Sequence, residues 1–270
     1  MKICAAQTRP VKGDIETNIT HHKKLIKLAV ANGADIIIFP ELSLTGYEPG
    51  LAKQLATNTE DSRFDDFQKI SDASQVIIGV GAPIKNNKDV CIAMVFFQPG
   101  EARQTYSKKY LHPDEEAFFI SGENSFSLQI GSSKIAFAIC YELSVPGHSE
   151  DAFKGGAVIY AAGVAKSRSG VEKAVNSLSG IAKKYSMTVL MSNCIGYCDD
   201  FECGGKTSIW NNKGLLAGQL HDTNEGIIMM DTDTGELLKK TIKNKSYPPG
   251  SASICALIKL QRISGSISVR

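Results

Sequence analysis

At 270 residues, 43% hydrophobic and 21% charged, the chain has the apolar content of one large globular domain with a substantial core. A net charge of +2 without a basic cluster argues against a nucleic-acid surface, and no apolar run approaches the ~20 residues of a membrane span. A small molecule is the better-matched partner, and seven cysteines behind an N-terminus without a signal-peptide core point to free thiols in a reducing, cytoplasmic compartment.

In chain order, Lys2 to Thr8 reads as a strand. Asp14 can cap a helix that runs to about Asn32, with Ile15, Ile19, Leu25, Leu28 and Ala29 on its apolar face and Gly33 as its stop. His21 and His22 fall in that helix beside two lysines and are expected on its solvated side. Ala34 to Phe39 is a buried strand closed by Pro40, which leaves the carboxylate of Glu41 at a strand end. A loop with two glycines follows from Leu42 to Gly50, then a helix over Asp61 to Ala73 and strands over Val76 to Val80 and Cys91 to Phe97. Pro99-Gly100 turns the chain into Gln104 to Ser107, which delivers Lys108 and Lys109. Ser125 to Ile130 and Lys134 to Ile139 form a hairpin across Gly131, and the second arm ends at Cys140. Beyond it come a helix over Ser149 to Lys154, a strand over Gly156 to Ala162, a small-residue loop, a helix over Val171 to Tyr185 and a strand over Met187 to Ser192. Lys206 to Trp210 and Gly226 to Asp231 read as further strands. Helices alternate with strands early and late while hairpins dominate the middle, a rhythm of packed sheets with helices outside. No linker divides residues 1–240, and residues 241–270 break the rhythm as a C-terminal extension.

Three reactive groups thus stand at strand ends: the Glu41 carboxylate, an ammonium at Lys108 or Lys109, and the Cys140 thiol. Singly each is ordinary, since cysteine is usually core and a lysine pair usually a solvated face. Together they suit nucleophilic catalysis. A thiol with an ordinary pKa of ~8.5 needs a base or a nearby positive charge to become a nucleophile. Strand ends are also where α/β sheets open their ligand crevices.

These segments resemble the motifs of the nitrilase superfamily, the carbon–nitrogen hydrolases. Phe39-Pro40-Glu41-Leu42-Ser43-Leu44-Thr45-Gly46-Tyr47 is similar to its glutamate motif, Tyr106-Ser107-Lys108-Lys109-Tyr110-Leu111 to its lysine motif, and Ile139-Cys140-Tyr141-Glu142-Leu143 to its cysteine motif. Asn193, Gly205, Ser208 and Gly214 resemble its C-terminal pattern, so that the likeness spans roughly residues 1 to 240. It implies an α/β fold, a four-layer αββα sandwich, paired into a homodimer or higher homo-oligomer. It also implies thiol-based hydrolysis of a nonpeptide C–N bond in an amide or carbamoyl substrate, with no metal or organic cofactor. Glu41 becomes the general base, Cys140 the nucleophile, Lys108 (two positions after Tyr106) the oxyanion donor with the Tyr141 amide, and Glu115, with Glu116 as its alternative, the support for the lysine. Tyr141 where true nitrilases tend to carry Trp favours an amidase. Tyr47, Tyr141, Phe119 and Val164 are expected to line the substrate pocket, and Lys166 and Arg168 are candidates for a substrate carboxylate.

Two other readings stand beside this one. Cys194, Cys198 and Cys203, with His221 further on, could bind metal or sense redox state, although their spacing is wider than the CxxC pairs of zinc knuckles. A silent binding protein on a hydrolase scaffold is the other, and the presence of all three reactive residues argues against it.

Overall fold

The computed structural model describes residues 1–123 and 126–242; the C-terminal extension expected from 241 lies almost wholly outside the described residues. Its strands are β1 (Lys2–Gln7), β2 (Ile36–Ile38), β3 (Ile77–Asn86), β4 (Asp89–Phe97), β5 (Gln104–Ser107), β6 (Ser127–Ile130), β7 (Ser133–Ile139), β8 (Ile159–Gly163), β9 (Thr188–Ser192), β10 (Ile195–Cys198), β11 (Phe201–Gly204), β12 (Ser208–Trp210), β13 (Leu216–Gln219), β14 (Gly226–Asp231) and β15 (Leu237–Thr241). The helices are α1 (Ile15–Val30), α2 (Ala52–Leu55), α3 (Asp65–Ser74), α4 (Pro146–Lys154) and α5 (Arg168–Tyr185).

Among the described residues two large sheets form, of seven strands in the order β15-β14-β1-β2-β3-β4-β5 and of six in the order β13-β12-β9-β8-β7-β6, beside a two-stranded β10-β11 ribbon. Both faces of each sheet are apolar, which is why the strands read as nearly continuous hydrophobic runs. One core fills the space between the sheets, with Ile36, Ile38, Met94 and Phe96 facing Ile135, Phe137, Ile159 and Leu190. A second lies between the first sheet and α1 and α3, around Ile26, Phe39, Phe67 and Val95. A third lies between the second sheet and α4 and α5, around Tyr160, Leu178, Met187 and Trp210. The result is the four-layer αββα sandwich. Burying each large apolar side chain in these layers stabilises the fold by roughly 1.5–3 kcal/mol.

The topology also decides where the reactive groups go. β2 and β3 are parallel, and β5 runs the same way as β3 because each is antiparallel to the intervening β4. The carboxyl ends of β2 and β5, which carry Glu41 and Lys108, therefore share one end of the first sheet. The two sheets are tied together at the matching end of the second, where Thr8 bridges Cys194 and Ser192 Oγ donates to the Ala6 carbonyl at 2.5 Å.

Several expectations shift. α5 begins at Arg168, earlier than its apolar pattern suggests, because Ser167 caps it by accepting from the Gly170 amide at 3.3 Å. α4 begins at Pro146, a residue suited to a first helical turn. The β10–β11 hairpin and strands β13 and β15 are short and carry mixed burial, so that periodicity alone does not announce them. His22 is a correction. It is buried, not solvated: its ring stacks on Phe39 at 4.1 Å, Nε2 meets Ser43 Oγ at 2.9 Å and Nδ1 meets the Asn18 carbonyl at 2.7 Å. The helix periodicity places it on the apolar flank beside Ile19 and Ile26, and its two polar atoms find partners there.

Burial pushes His22 down from 6.5 to about 3, and burial likewise pushes His148 to about 4. Both are neutral in the folded protein at pH 7, and the unfolded chain takes up protons that the folded one refuses as pH falls through 6.5. Their contribution is fully present above that value and is lost below it. Urea midpoints should therefore fall between about pH 7.5 and pH 5, and His22→Gln should show a shallower fall. An unchanged pH slope in the variant would refute this role. Gly81 offers a second test. A Cβ there would lie 2.3 Å from the Pro40 carbonyl oxygen and 2.4 Å from the Leu42 amide, against the turn that carries Glu41. Gly81→Ala is expected to cost about 1–3 kcal/mol by overpacking and to lower turnover by displacing Glu41. Wild-type stability and turnover in that variant would sink the argument.

Candidate active site

Each reactive residue sits where a strand stops abruptly. β2 ends in Phe39-Pro40, and Leu42, just past Glu41, has φ of 48°. Cys140 itself has φ of 45°, a left-handed conformation uncommon for a residue with a side chain, at the junction of β7 and the 3-10 turn Cys140–Ser144. This bend is what turns the thiol off the strand axis. The Tyr141 amide falls in the first turn of that helix, where an N–H has no acceptor within its own helix.

Lys108 is completely buried, and its ammonium lies 2.7 Å from Glu41 Oε1 and 2.7 Å from Glu115 Oε1. Glu115 is held in turn by the Tyr47 hydroxyl at 2.9 Å and by the His112 amide, which donates to Oε2 at 2.8 Å. The Glu41 Oε2 atom is buried without a conventional hydrogen-bond partner and is the acceptor left for the thiol proton. Burial raises Glu41 above the usual carboxylate range, although the Lys108 charge opposes the shift. For Lys108 burial works against the charged form, and Glu41, Cys140 and Glu115 outweigh it, holding the amine above its ordinary value. Burial and then the Glu41 charge push the Cys140 thiol up to about 11, while Lys166 and Lys108 pull it back. The resting nucleophile is therefore a thiol, and it depends on Glu41 to become a thiolate.

Glu142 is the component that sequence reasoning missed. It stands in the cysteine motif but carried no assigned role. Its buried carboxylate accepts from the Ile139 amide at 2.7 Å on the cysteine side and from the Lys109 amide at 2.6 Å on the lysine side. The Tyr106 hydroxyl, 2.8 Å from both its oxygens, also meets His148 Nε2 at 2.8 Å, and His148 Nδ1 meets the Tyr160 hydroxyl at 2.7 Å. This buried network joins the loop that carries Lys108 to the loop that carries Cys140. The only signal for it in sequence is a carboxylate two residues after the nucleophile, with nothing to say what it binds.

Cys140 opens onto a cavity of about 670 Å³ whose lining includes Tyr47, His112, Glu115, Phe118, Tyr141 and Lys166. Two expected pocket residues are absent from that wall. Phe119 is buried in the core between the sheets, and Val164 in the core beneath α5. Their neighbours Phe118 and Ala165 face the cavity instead. Of the two candidate cations, Lys166 lines the cavity and Arg168 lies outside it, 3.4 Å from Asp222. Asn193 fixes the Lys166 backbone on both sides: Oδ1 accepts its amide at 3.0 Å and Nδ2 donates to its carbonyl at 3.2 Å. The far rim of the cavity comes from the tip of the β10–β11 hairpin, Asp199, Asp200 and Phe201.

Removing the Glu142 carboxylate tests the network. Glu142→Ala leaves the buried Ile139 amide without an acceptor, at about 1–3 kcal/mol, frees the half-buried Lys109 amide as well, and should lower both the urea midpoint and kcat, with a smaller effect on KM. Glu142→Gln, which keeps an acceptor oxygen, should recover part of both. If Glu142→Ala matched the wild type in stability and kcat, the carboxylate would not be what joins the two loops.

Comparison with known proteins places this geometry in a family. The sequence profile described as carbon-nitrogen hydrolase matches residues 2–239. The solved amidase from Nesterenkonia sp. AN1 is 20% identical with a TM-score of 0.78, over 85% of this chain and 89% of that one. Among curated proteins, the glutamine-dependent NAD(+) synthetase of Thermotoga maritima is 26% identical over 92% of this chain but 46% of its own length. A Staphylococcus aureus protein described as a hydrolase in the agr operon is 26% identical over 88% of this chain and 93% of its own length. The chain thus spans about half the length of the NAD(+) synthetases that it matches. With the profile match over nearly all the described residues, and the αββα layers to go with it, the chain belongs to the carbon-nitrogen hydrolase family.

Proposed function

We propose that this protein is a thiol amidase that releases ammonia or a small amine from a small amide or carbamoyl substrate through a cysteine thioester. The observation that carries the reading is the buried Lys108 ammonium bridging Glu41 and Glu115, with Glu115 and the bent-out Cys140 lining one cavity. Glu41 takes the thiol proton, and the Cys140 sulfur attacks the amide carbonyl carbon. Lys108 and the Tyr141 amide hold the oxyanion. The C–N bond then breaks as the proton on Glu41 passes to the departing nitrogen, leaving the acyl group on sulfur. Water gives a proton to Glu41 and attacks the thioester carbonyl. The C–S bond breaks, the acid leaves, and the proton returns to sulfur.

The cavity wall narrows the substrate class. It carries a cation at Lys166 and carboxylates at Asp114, Asp199 and Asp200, so that both charged ends of an amino-acid amide find complementary groups. Aromatic surfaces at Tyr47, Tyr141 and Phe118 flank the path to Cys140. The likeness to glutamine-dependent synthetases supports a terminal carboxamide such as that of glutamine. The likeness to an amidase whose structure was solved with butyramide supports simple aliphatic amides. Pairing into homodimers belongs to this reading as well. Phe153 on α4, its ring tilted against Tyr185 of α5 at 5.2 Å, is 49% exposed on the outer helical layer.

Ammonia release from glutamine, aliphatic amides, carbamoylated amines and simple nitriles, measured on wild type and Cys140→Ala side by side, tests the proposal. Release from at least one amide that vanishes in Cys140→Ala supports it. Lys108→Met should lower turnover on that substrate roughly 100- to 1000-fold, the usual loss for an oxyanion donor. Turnover that survives Cys140→Ala would end the thiol mechanism. No release from any amide, with Cys140 inert to a haloacetamide by mass spectrometry, would favour a silent binding protein.

A further inference from the structure

Three cysteines stand outside the catalytic machinery and directly beside it. Cys194 follows Asn193 at the end of β9, Cys198 closes β10, and Cys203 lies on β11 opposite Gly196. All three are buried, and their sulfurs lie within 4.8 Å of one another, with Cys194 and Cys198 at 3.9 Å. The spacing in sequence hides this, because a hairpin turn, not a CxxC knuckle, brings Cys203 back to the other two. His221 is not part of the group.

We propose that Cys194, Cys198 and Cys203 form a binding site for a thiophilic d10 metal ion, zinc(II) or copper(I), that fixes one wall of the active-site cavity. Metal–sulfur bonds of about 2.3 Å put three sulfurs around one ion about 4.0 Å apart. Each sulfur here needs to move inward by no more than about half an ångström to reach that distance. Thiolates are the ligand type that selects such ions over harder ones. Binding releases a proton from each thiol still protonated, each sulfur donates a lone pair, and no electron is transferred.

The position gives the site a consequence. The cluster packs against Ala165, Tyr47 and Phe201, which line the catalytic cavity. The Cys203 backbone bridges Ser167, and the Gly204 amide donates to the Lys166 carbonyl at 2.8 Å. Cys140 Sγ itself lies 3.9 Å from the Ala165 carbonyl. An ion that ties β10 to β11 thereby holds the Lys166 loop and the Asp199–Phe201 rim in place. The proposal is independent of the substrate that the hydrolase uses.

The full chain, purified with reductant and stripped by chelation, is titrated anaerobically with Zn²⁺ or with Cu⁺ against a competing chelator, and Co²⁺ serves as an optical probe of thiolate ligation. One equivalent of either ion per chain, a thiolate-to-cobalt charge-transfer band, and protection of Cys194, Cys198 and Cys203 from alkylation support the site. The arm that saturates at one equivalent names the ion. Cys198→Ser and Cys203→Ala should each abolish stoichiometric binding, whereas Cys140→Ala should bind as wild type does. The one-to-one stoichiometry and the charge-transfer band of the wild type decide the matter even if a variant fails to fold. Absence of stoichiometric binding in both arms, binding that is lost with Cys140→Ala, or a disulfide among the three in place of metal uptake would overturn the proposal.

Discussion

The structure turns on a buried ammonium shared between two carboxylates. Removing Lys108, Glu41 and Glu115 from water carries a large desolvation cost, which short, well-placed ion pairs offset only while every partner is present. Lys108 lies 2.7 Å from both carboxylates, and Glu115 gains two further donors from Tyr47 and His112. Burial, and then the nearby Glu41 charge, keep the Cys140 thiol protonated at rest. Glu41 retains one buried oxygen without a conventional hydrogen bond. A site arranged in this way keeps a buried acceptor beside the thiol that it has to deprotonate. That is the asymmetry a base-activated nucleophile needs.

Holding three charged groups at fixed separations is a task for the backbone. Glu142 accepts amides from the loops of both Lys108 and Cys140, so that the two loops cannot drift apart without exposing buried donors. On the other side, Ser43 links the Glu41 turn to His22 and to the Gly81 amide. Glycine lets the pieces approach: a Cβ on Gly163 would come within 2.8 Å of the Phe39 carbonyl oxygen. The two sheets therefore approach closely at the end where Glu41 and Cys140 emerge. Precision at the nucleophile comes from this layer of buried polar contacts, since the reactive side chains themselves have no freedom to adjust.

The cavity wall is built differently from its floor. Its floor is set by strand ends, but its rim comes from a short hairpin and a loop anchored by Asn193 and by pairing between Cys203 and Ser167. Such elements bury little apolar surface of their own and rely on local bonds for their position. A cluster of three sulfurs at the base of that hairpin is thus well placed to stiffen the part of the site that meets the substrate.

The sequence by itself determined the layers and the reactive trio. Apolar runs at Ile36 to Phe39, Val76 to Val80 and Ile135 to Ile139 have no polar face to turn to water, so they specify sheets covered on both sides. The residues that end those runs or emerge from the neighbouring hairpins, Glu41, Lys108 and Cys140, stay at the sheet ends, where a crevice opens. Only the tertiary structure decided the rest. Whether His22 faces water or Ser43, whether Phe118 or Phe119 meets the cavity, and what Glu142 holds together all depend on groups far away in the chain. Local periodicity says which side of an element is apolar. It does not say which distant donor a buried carboxylate will meet, or that a turn will bring Cys203 against Cys194 and Cys198. Those contacts join residues that neither pattern nor spacing relates, and they exist only once the two sheets have packed.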